Sequence, residues 1–301
     1  MSLYRVTHRT EYRYEEEVTA SYGQTHLLPR AAPGQDPHDA TVSFRPVPDD
    51  RRTRTDFHGN RCVAFSILAP HTRLTIEATS TVEVTGPPAP TLAADMPWEV
   101  ARDEIHRSSD ATGLEAREMA LASPRVGLGA AVRAYAAPSF AAGRPLLDAV
   151  VDLSHRIHTD FAYDPRATDV GTTVDEALEA RKGVCQDFAH LAIACVRAQG
   201  LAARYVSGYL ETIPPPGKER LEGADATHAW LAVHLPGDGW VGVDPTNDVV
   251  TGERHVTTAW GRDYGDVPPV EGIIFTDGTT HRMEVSVDVV RLPADGAASP
   301  A

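Results

Sequence analysis

The first ninety residues alternate between apolar and polar side chains. In the stretch "LYRVTHRTEYRY", one face carries Tyr4, Val6, His8, Thr10, Tyr12 and Tyr14. The stretch "LTIEATSTVEV" (74–84) repeats the alternation. A period of two is typical of strands with one buried face, and Gly59-Asn60 in "FHGNRCVAFSIL" favours a tight turn between two strands. We therefore predict an all-β, sandwich-like N-terminal domain over residues 1–90.

The pattern then becomes helical. Residues 91–145 are rich in helix-forming side chains, and we predict a helical linker region there. The stretch "PLLDAVVDLSHRIHTDF" has apolar residues at helical spacing. The stretch "TTVDEALEARKG" predicts a helix that begins with a capping box of Thr173 and Glu176 and ends at Gly183. A further helix is predicted from about Val184 to Gln199.

Strands return in the last third of the chain. The stretches "THAWLAVHL" and "GWVGVDPT" flank the turn "PGDG" and predict a β-hairpin. The stretch "MEVSVDVVRL" predicts another strand near the end of the chain. We therefore predict an α+β domain over residues 146–292 that ends with this strand, and a flexible tail over residues 293–301.

The composition indicates a globular protein with an acidic surface. Hydrophobic residues make up 42% of the 301 residues, and the formal net charge is −14. We expect no nucleic acid partner, because phosphate binding relies on basic patches. We also expect no membrane association, because the N-terminal residues lack the apolar core of a secretory signal and no apolar run is long enough to span a bilayer. Three scattered cysteines predict free thiols and a cytoplasmic location, and the oligomeric state stays open.

Three residues have a spacing that suits nucleophilic catalysis. Cys185 opens a helix, where unpaired N–H groups and the helix dipole stabilise a thiolate. His228 begins one strand of the hairpin and Asp244 ends the other, so the hairpin sets them roughly opposite each other. A thiolate can attack an acyl carbon while an imidazole moves protons and a carboxylate fixes the imidazole tautomer. N–H groups at the head of the helix could bind the developing oxyanion.

The same residues also have structural interpretations. Cys185 could fill the core where a helix begins, as we expect for Cys195. Asp187 in the first helical turn favours the helix dipole, but it opposes a permanently ionised thiolate. A zinc site of Cys185, His228 and Asp244 is conceivable, although no Cys-x-x-Cys or His-x-x-x-His pair supports it. We therefore expect no metal and no cofactor.

Together these segments resemble a known family. The stretches "GVCQDFAHLAIACVRAQGLAARYVSGYL" and "THAWLAVHLPGDGWVGVDPTND" are similar to the core of the transglutaminase-like superfamily of cysteine enzymes. The similarity lies in Gly-x-Cys at a helix head, His-Ala-Trp on a strand and Asp-Pro-Thr at the end of the next strand, and it covers about residues 146–248. The opening "YRVTHRTEYRYEEEVTASYGQTHLLPR", the "DFHGN" hairpin and "WGRDYGDVPPVEGI" resemble flanking segments of bacterial transglutaminase-like proteins.

The resemblance implies a papain-like, transglutaminase-like core in which the nucleophile helix packs on an antiparallel sheet. It implies that Cys185 is the nucleophile, His228 the general base and acid, and Asp244 the orienting carboxylate. It also points to residues around the cleft. Gln186 either reaches the oxyanion or is a surface polar residue, and Tyr163 and Trp230 either line the cleft or pack on strands.

The expected reaction is attack on a peptide or amide carbonyl through a thioester acyl-enzyme, followed by hydrolysis. The expected partner is therefore a peptide or protein substrate. Two alternatives stay open. The first is transglutaminase-type acyl transfer to an amine. The second is a non-catalytic binding or scaffold module that retains the fold.

Overall fold

A strand of 24 residues, β1 (Ser2–Thr25), is the centre of the N-terminal sheet. The next strands are β2 (Gln35–Arg45), β3 (Asp50–Thr55), β4 (Arg61–Ile67) and β5 (His71–Val84). The order along the sheet is β2-β5-β1-β4-β3. The computed structural model describes residues 1–91, 95–212 and 227–293. Nearly all of the predicted tail at 293–301 therefore lies outside the described residues.

The strand β1 belongs to both halves of a curled sheet. Its first half pairs with β5, and its second half, from Ser21, pairs with β4. The register of the β1–β5 pairing shifts between Arg13 and Val18, and a shift of this kind bends a strand. Phe44 of β2 and Phe65 of β4 pack together, with ring centroids 4.7 Å apart. The predicted sandwich-like core is therefore the interior of this curled sheet.

Six α-helices lie in the described part of the chain, with two short strands among them. The first four are α1 (Trp98–Arg107), α2 (Ala111–Glu118), α3 (Ala130–Ala136) and α4 (Leu146–Asp160). The next elements are β6 (Ala162–Tyr163), α5 (Val174–Ala180), β7 (Lys182–Gly183) and α6 (Cys185–Ala198). The capping box predicted at the start of α5 is present, because Thr173 and Glu176 bond each other's backbone N–H groups.

A second sheet supports α6. Its strands are β8 (Ala203–Leu210), β9 (Thr227–Leu235), β10 (Gly239–Asp244), β11 (Val249–Val250) and β12 (His255–Gly261). They run antiparallel in the order β11-β10-β9-β8-β12. Leu231 and Val233 of β9 share a buried core with Leu191 and Ile193 of α6. The fold is therefore α+β, with the Cys185 helix packed on an antiparallel sheet, as predicted.

The region predicted as a helical linker is part of this core. Ala101 and Ile105 of α1 and Val132 of α3 are buried in the same cluster as α6. The apolar stripe of α1 needs a surface to cover it, and α2 and α4 supply that surface. The helices of residues 95–145 therefore pack into the same core as the Cys185 helix.

The chain returns to the N-terminal sheet at its end. After a 3₁₀ turn at Tyr264–Asp266, the strands β13 (Val270–Thr276) and β14 (His281–Leu292) both pair antiparallel with β1. These residues lie within the domain predicted over residues 146–292. The alternation that predicted a strand at 283–292 does not encode its partner, and the partner is β1.

None of the helices in the described ranges is long and apolar enough to cross a membrane.

Candidate active site

The helix α6 begins at Cys185 with its N-terminal N–H groups partly unoccupied. The N-cap is Val184, whose N–H donates to Oδ2 of Asp187 at 2.8 Å. The hydroxyl of Thr168 donates to the same oxygen at 2.7 Å. Within the described residues, the N–H groups of Cys185 and Gln186 have no acceptor. These two donors are available to an anion beside the half-buried thiol of Cys185.

The side chain of Asp187 caps the helix that carries the thiol, because it accepts from the N–H of the N-cap residue Val184. Burial raises the pKa of its carboxyl, and the hydrogen bonds from Val184 and Thr168 oppose that shift. Two donors within 2.8 Å offset part of the carboxylate charge. Asp187 therefore holds the backbone at Cys185 in place, a role beyond the effect of its charge that was predicted from the sequence.

Residue 183 has to be glycine, because the side chain of Asp187 lies too close to it for a Cβ atom. A Cβ atom at residue 183 would lie 2.7 Å from Oδ2 of Asp187 and 2.9 Å from its Cβ. The prediction that Gly183 ends the preceding helix is wrong, because α5 ends at Ala180 and Arg181 takes the left-handed conformation with φ of 53°. Gly183, two residues before Cys185, is therefore needed so that Asp187 can pack against the backbone and cap the helix.

Gly183→Ala is expected to destabilise the protein and displace the thiol. The added methyl group would push Asp187 from the Val184 N–H, at a cost of about 1–3 kcal/mol in the free energy of unfolding. Chemical denaturation measures the stability, and the rate of Cys185 alkylation measures the local effect. Gly127→Ala is the control, because a Cβ there would meet nothing within 4 Å. Equal stability of the two variants would contradict the assigned role of Gly183.

His228 and Asp244 are joined by a short hydrogen bond. Nε2 of His228 lies 2.7 Å from Oδ2 of Asp244, and Asp244 is fully buried. The hairpin pairs Val243 with Leu231. In this register Asp244 is a diagonal neighbour of His228 across the two strands and not its direct partner. The predicted register, which set the two roughly opposite each other, is wrong by two residues. Because diagonal neighbours share a face, the contact still forms.

Asp244 accepts hydrogen bonds at both oxygens. Oδ1 accepts from the N–H groups of Thr246 and Asn247, and Oδ2 also accepts from Nδ2 of Asn247 at 2.7 Å and Nε2 of His255 at 3.2 Å. Burial would raise the pKa of Asp244, but the hydrogen bonds from His228, His255 and Asn247 hold it well below its usual range. The carboxylate is therefore a fixed negative charge.

Asn247 and His255 are partners of Asp244 that were not predicted from the sequence. Asn247 lies in the quoted "DPTND" segment, three residues after the carboxylate, where a turn brings a side chain back. His255 comes from β12, at the far edge of the sheet, and no local spacing indicates it.

The environment of His228 favours its protonated form. Burial alone would lower the pKa of His228, but hydrogen bonds to Asp244 and Cys185, together with their charges, raise it to about 10. Because Nε2 is bonded to Asp244, Nδ1 is the ring nitrogen available to the Cys185 thiol. The structure thus brings the three predicted residues into one chain of contacts, Cys185 to His228 to Asp244.

The other predicted residues lie around this chain. Gln186 is nearly buried in α6, which excludes the surface position considered for it. Tyr163 is 56% exposed and contacts Phe188, and its pKa is raised by burial and by the charge of Cys185. Tyr163 therefore lies at the rim of the site.

Trp230 packs against the rings of His255 and His228. It is buried, and its ring centroid is 5.2 Å from that of His255 and 6.0 Å from that of His228. Trp230 and His255 line a cavity of about 590 Å³ that does not include Cys185. Its strand-packing interpretation fits this position.

The atoms of His228, Asp244 and His255 that could bind a metal lie within 4.8 Å of one another. Nδ1 of His255 is 3.4 Å from the Gly252 N–H, which leaves Nε2–H to donate to Asp244. Both imidazoles therefore direct a ring N–H at one carboxylate oxygen. Hydrogen bonding accounts for this convergence.

Comparison with known proteins agrees with the geometry. Residues 133–245 match the family model described as the transglutaminase-like superfamily, and residues 4–83 match the bacterial transglutaminase-like N-terminal region. An uncharacterized protein of Mycobacterium tuberculosis is 48% identical over 300 residues, which cover 97% of this chain and 94% of that protein. An uncharacterized protein of Mycobacterium leprae is 32% identical and covers 96% and 98%.

Two further similarities bear on fold and chemistry. A Pseudomonas aeruginosa protein named protein-glutamine gamma-glutamyltransferase is 36% identical over 95 residues, 31% of this chain and 14% of that protein. A crystal structure of a Cytophaga hutchinsonii protein, described as a candidate cysteine protease, superposes with a TM-score of 0.72 at 19% identity. That superposition covers 98% of this chain and 92% of the other, and it supports the fold of both halves together.

Proposed function

The chain belongs to the transglutaminase-like superfamily of cysteine enzymes, and from this premise we propose that it attacks a peptide or amide carbonyl and hydrolyses the resulting thioester. One observation carries the proposal. His228 contacts both the thiol at the head of α6 and a buried carboxylate. This arrangement supplies a nucleophile, a proton carrier and an orienting group in one line.

In the first half of the reaction, His228 takes the proton of the Cys185 thiol, and the sulfur attacks the carbonyl carbon. The N–H groups of Cys185 and Gln186 stabilise the negative charge that develops on the carbonyl oxygen. His228 then donates its proton to the leaving nitrogen, the carbon–nitrogen bond breaks, and a thioester remains on Cys185. Asp244 stabilises the imidazolium throughout.

In the second half, His228 removes a proton from water, and the resulting hydroxide attacks the thioester carbon. The carbon–sulfur bond breaks, the carboxylic acid leaves, and Cys185 recovers its proton. Tyr163 at the rim and the nearly buried Gln186 are the residues we propose to contact the substrate next to the thiol.

Partition of one acyl-enzyme between water and an amine tests hydrolysis against transfer. p-Nitrophenyl acetate serves as the acylating probe, because its activated ester does not depend on the natural substrate. We expect a burst of p-nitrophenol equal to the enzyme concentration, and free acetate as the final product even with a primary amine present. If a stable acetylated amine forms in proportion to the added amine, the reaction is acyl transfer and the proposed hydrolysis is wrong. The absence of a burst would favour a non-catalytic module.

A further inference from the structure

A second cluster of cysteine, histidine and aspartate lies in the N-terminal sheet, away from the catalytic residues. His26 follows β1, Asp56 follows β3 and Cys62 lies in β4. The sulfur of Cys62 is 2.9 Å from Nε2 of His26, which is 3.5 Å from Oδ2 of Asp56. The three atoms lie within 4.8 Å of one another.

The hydrogen bonds around His26 determine which nitrogen faces the cluster. Nδ1 of His26 lies 3.0 Å from the backbone oxygen of Pro268. A carbonyl oxygen only accepts, so Nδ1 carries the proton and the lone pair of Nε2 points at Cys62 and Asp56 in the neutral ring. Metal-binding histidines have this arrangement, in which a backbone carbonyl fixes the tautomer of the ligand.

Asp56 is oriented in the same way. Its Oδ1 accepts from the N–H of Asn60 at 2.7 Å, and its Oδ2 accepts from Nδ2 of Asn60 at 2.8 Å. Cys62 and His26 are buried, and Asp56 is only slightly exposed. Nε2 of His26, the sulfur of Cys62 and Oδ2 of Asp56 thus converge in a buried place. With a neutral imidazole and an ionised carboxylate, these three atoms share one proton, that of the Cys62 thiol. A cation stabilises such a convergence.

From this convergence we propose that His26, Asp56 and Cys62 bind a zinc ion. Thiolate, imidazole and carboxylate are the ligand types that zinc takes, and tetrahedral bonds of about 2.0–2.3 Å separate ligand atoms by roughly 3.5 Å. The separations of 2.9 and 3.5 Å require only a small displacement of the sulfur. On binding, zinc replaces the thiol proton, which leaves to solvent, and no electron is transferred. A water at the exposed edge beside Asp56 completes the tetrahedron.

The position of the site gives the ion a structural role. Asn60, which orients Asp56, is fully buried and bonds both the N–H and the carbonyl of Trp260 in β12. The Pro268 carbonyl bonded to His26 follows the same strand. Zinc would therefore stabilise the junction between the N-terminal sheet and the catalytic sheet. The "DFHGN" segment, which resembles a family motif, supplies Asp56 and Asn60 at this junction.

Cobalt binding to the full chain tests the proposal. The experiment uses the Cys185→Ala variant, so that the half-exposed thiol of Cys185 does not contribute to the thiolate-to-cobalt signal. After removal of metal with a chelator, added Co²⁺ is expected to give a thiolate-to-cobalt charge-transfer band at roughly one ion per chain, displaced by zinc. Zinc is also expected to raise the unfolding temperature.

Two substitutions locate the metal. Cys62→Ser should abolish the band, and His26→Gln should lower cobalt affinity at least tenfold. Cys195→Ser, which alters a thiol distant from the cluster, and His255→Gln, which breaks the donor set around Asp244, should both leave the band unchanged. The absence of a band in the parent protein would overturn the proposal even if a variant failed to fold. A band that survives Cys62→Ser would overturn it as well.

Discussion

Cys185→Ala is expected to reduce kcat with p-nitrophenyl acetate by roughly 10⁴-fold or more and to abolish the burst. Removal of a catalytic nucleophile costs this much because the remaining groups have no covalent route. The fold should persist, since Cys185 is half-buried and its sulfur makes no hydrogen bond to the backbone of the described residues. Burst kinetics measure the chemistry, and chemical denaturation measures the stability.

Cys195→Ala is the matched control for this variant. Cys195 lies ten residues further along the same helix, is fully buried, and has a pKa raised to about 12 by burial. Its replacement is expected to cost about 1–2 kcal/mol of stability through the cavity, with the burst per folded molecule unchanged. A Cys185→Ala protein that still forms an acyl-enzyme would refute the assignment of the nucleophile.

Asp244→Asn should lower kcat by about 10²- to 10⁴-fold, because an amide cannot stabilise the imidazolium or hold one tautomer. The alkaline limb of the kcat/KM profile should also move. In the native protein the pKa of His228 is raised to about 10, and loss of the Asp244 charge removes the main cause that raises it. The limb is therefore expected to shift down by at least one pH unit.

The same substitution removes a pH-dependent contribution to stability. Because the folded-state pKa of Asp244 is lowered, its stabilising effect is present above the unfolded value of about 3.9 and is lost as the pH falls below it. The raised pKa of His228 acts in the opposite direction, so its contribution is complete below about pH 6.5 and is lost as the pH rises through about 10. Urea denaturation at several pH values measures both effects.

Asp248→Asn is the control for Asp244→Asn. Asp248 lies four residues further on and pairs with His155 at 2.7 Å on the surface. Its φ of 54° suits asparagine, and an exposed ion pair contributes little to stability. If both variants lost activity equally, charge near the site would matter and the hydrogen bond to His228 would not.

The chain shows which features a local pattern can encode. The start of α6 at Cys185, the capping box at Thr173 and the strand that bears His228 follow from periodicity, caps and turn residues. Three such segments in the right order are enough to assemble the contacts around His228. They also identified the family, because the motif residues lie within those same segments.

Long-range packing accounts for what the sequence analysis missed. The pairing of β14 with β1 joins the two ends of the chain, and a period of two is compatible with any partner strand. His255 reaches Asp244 from the opposite edge of the sheet, so its role depends on topology. The role of Gly183 is also not encoded in the local sequence pattern, because its contact with Asp187 exists only once the cap has formed.

Alkylation of the three cysteines in one sample tests the central claim most directly. Cys62 and Cys195 serve as internal references, because burial raises their pKa values to about 11 and about 12. With iodoacetamide at about pH 6.5, roughly two units below an ordinary thiol pKa, only Cys185 should be labelled in the folded protein. Its rate should fall at least tenfold in His228→Gln. A Cys185 that stays unlabelled, or that reacts equally fast without His228, would contradict a thiol activated by this histidine.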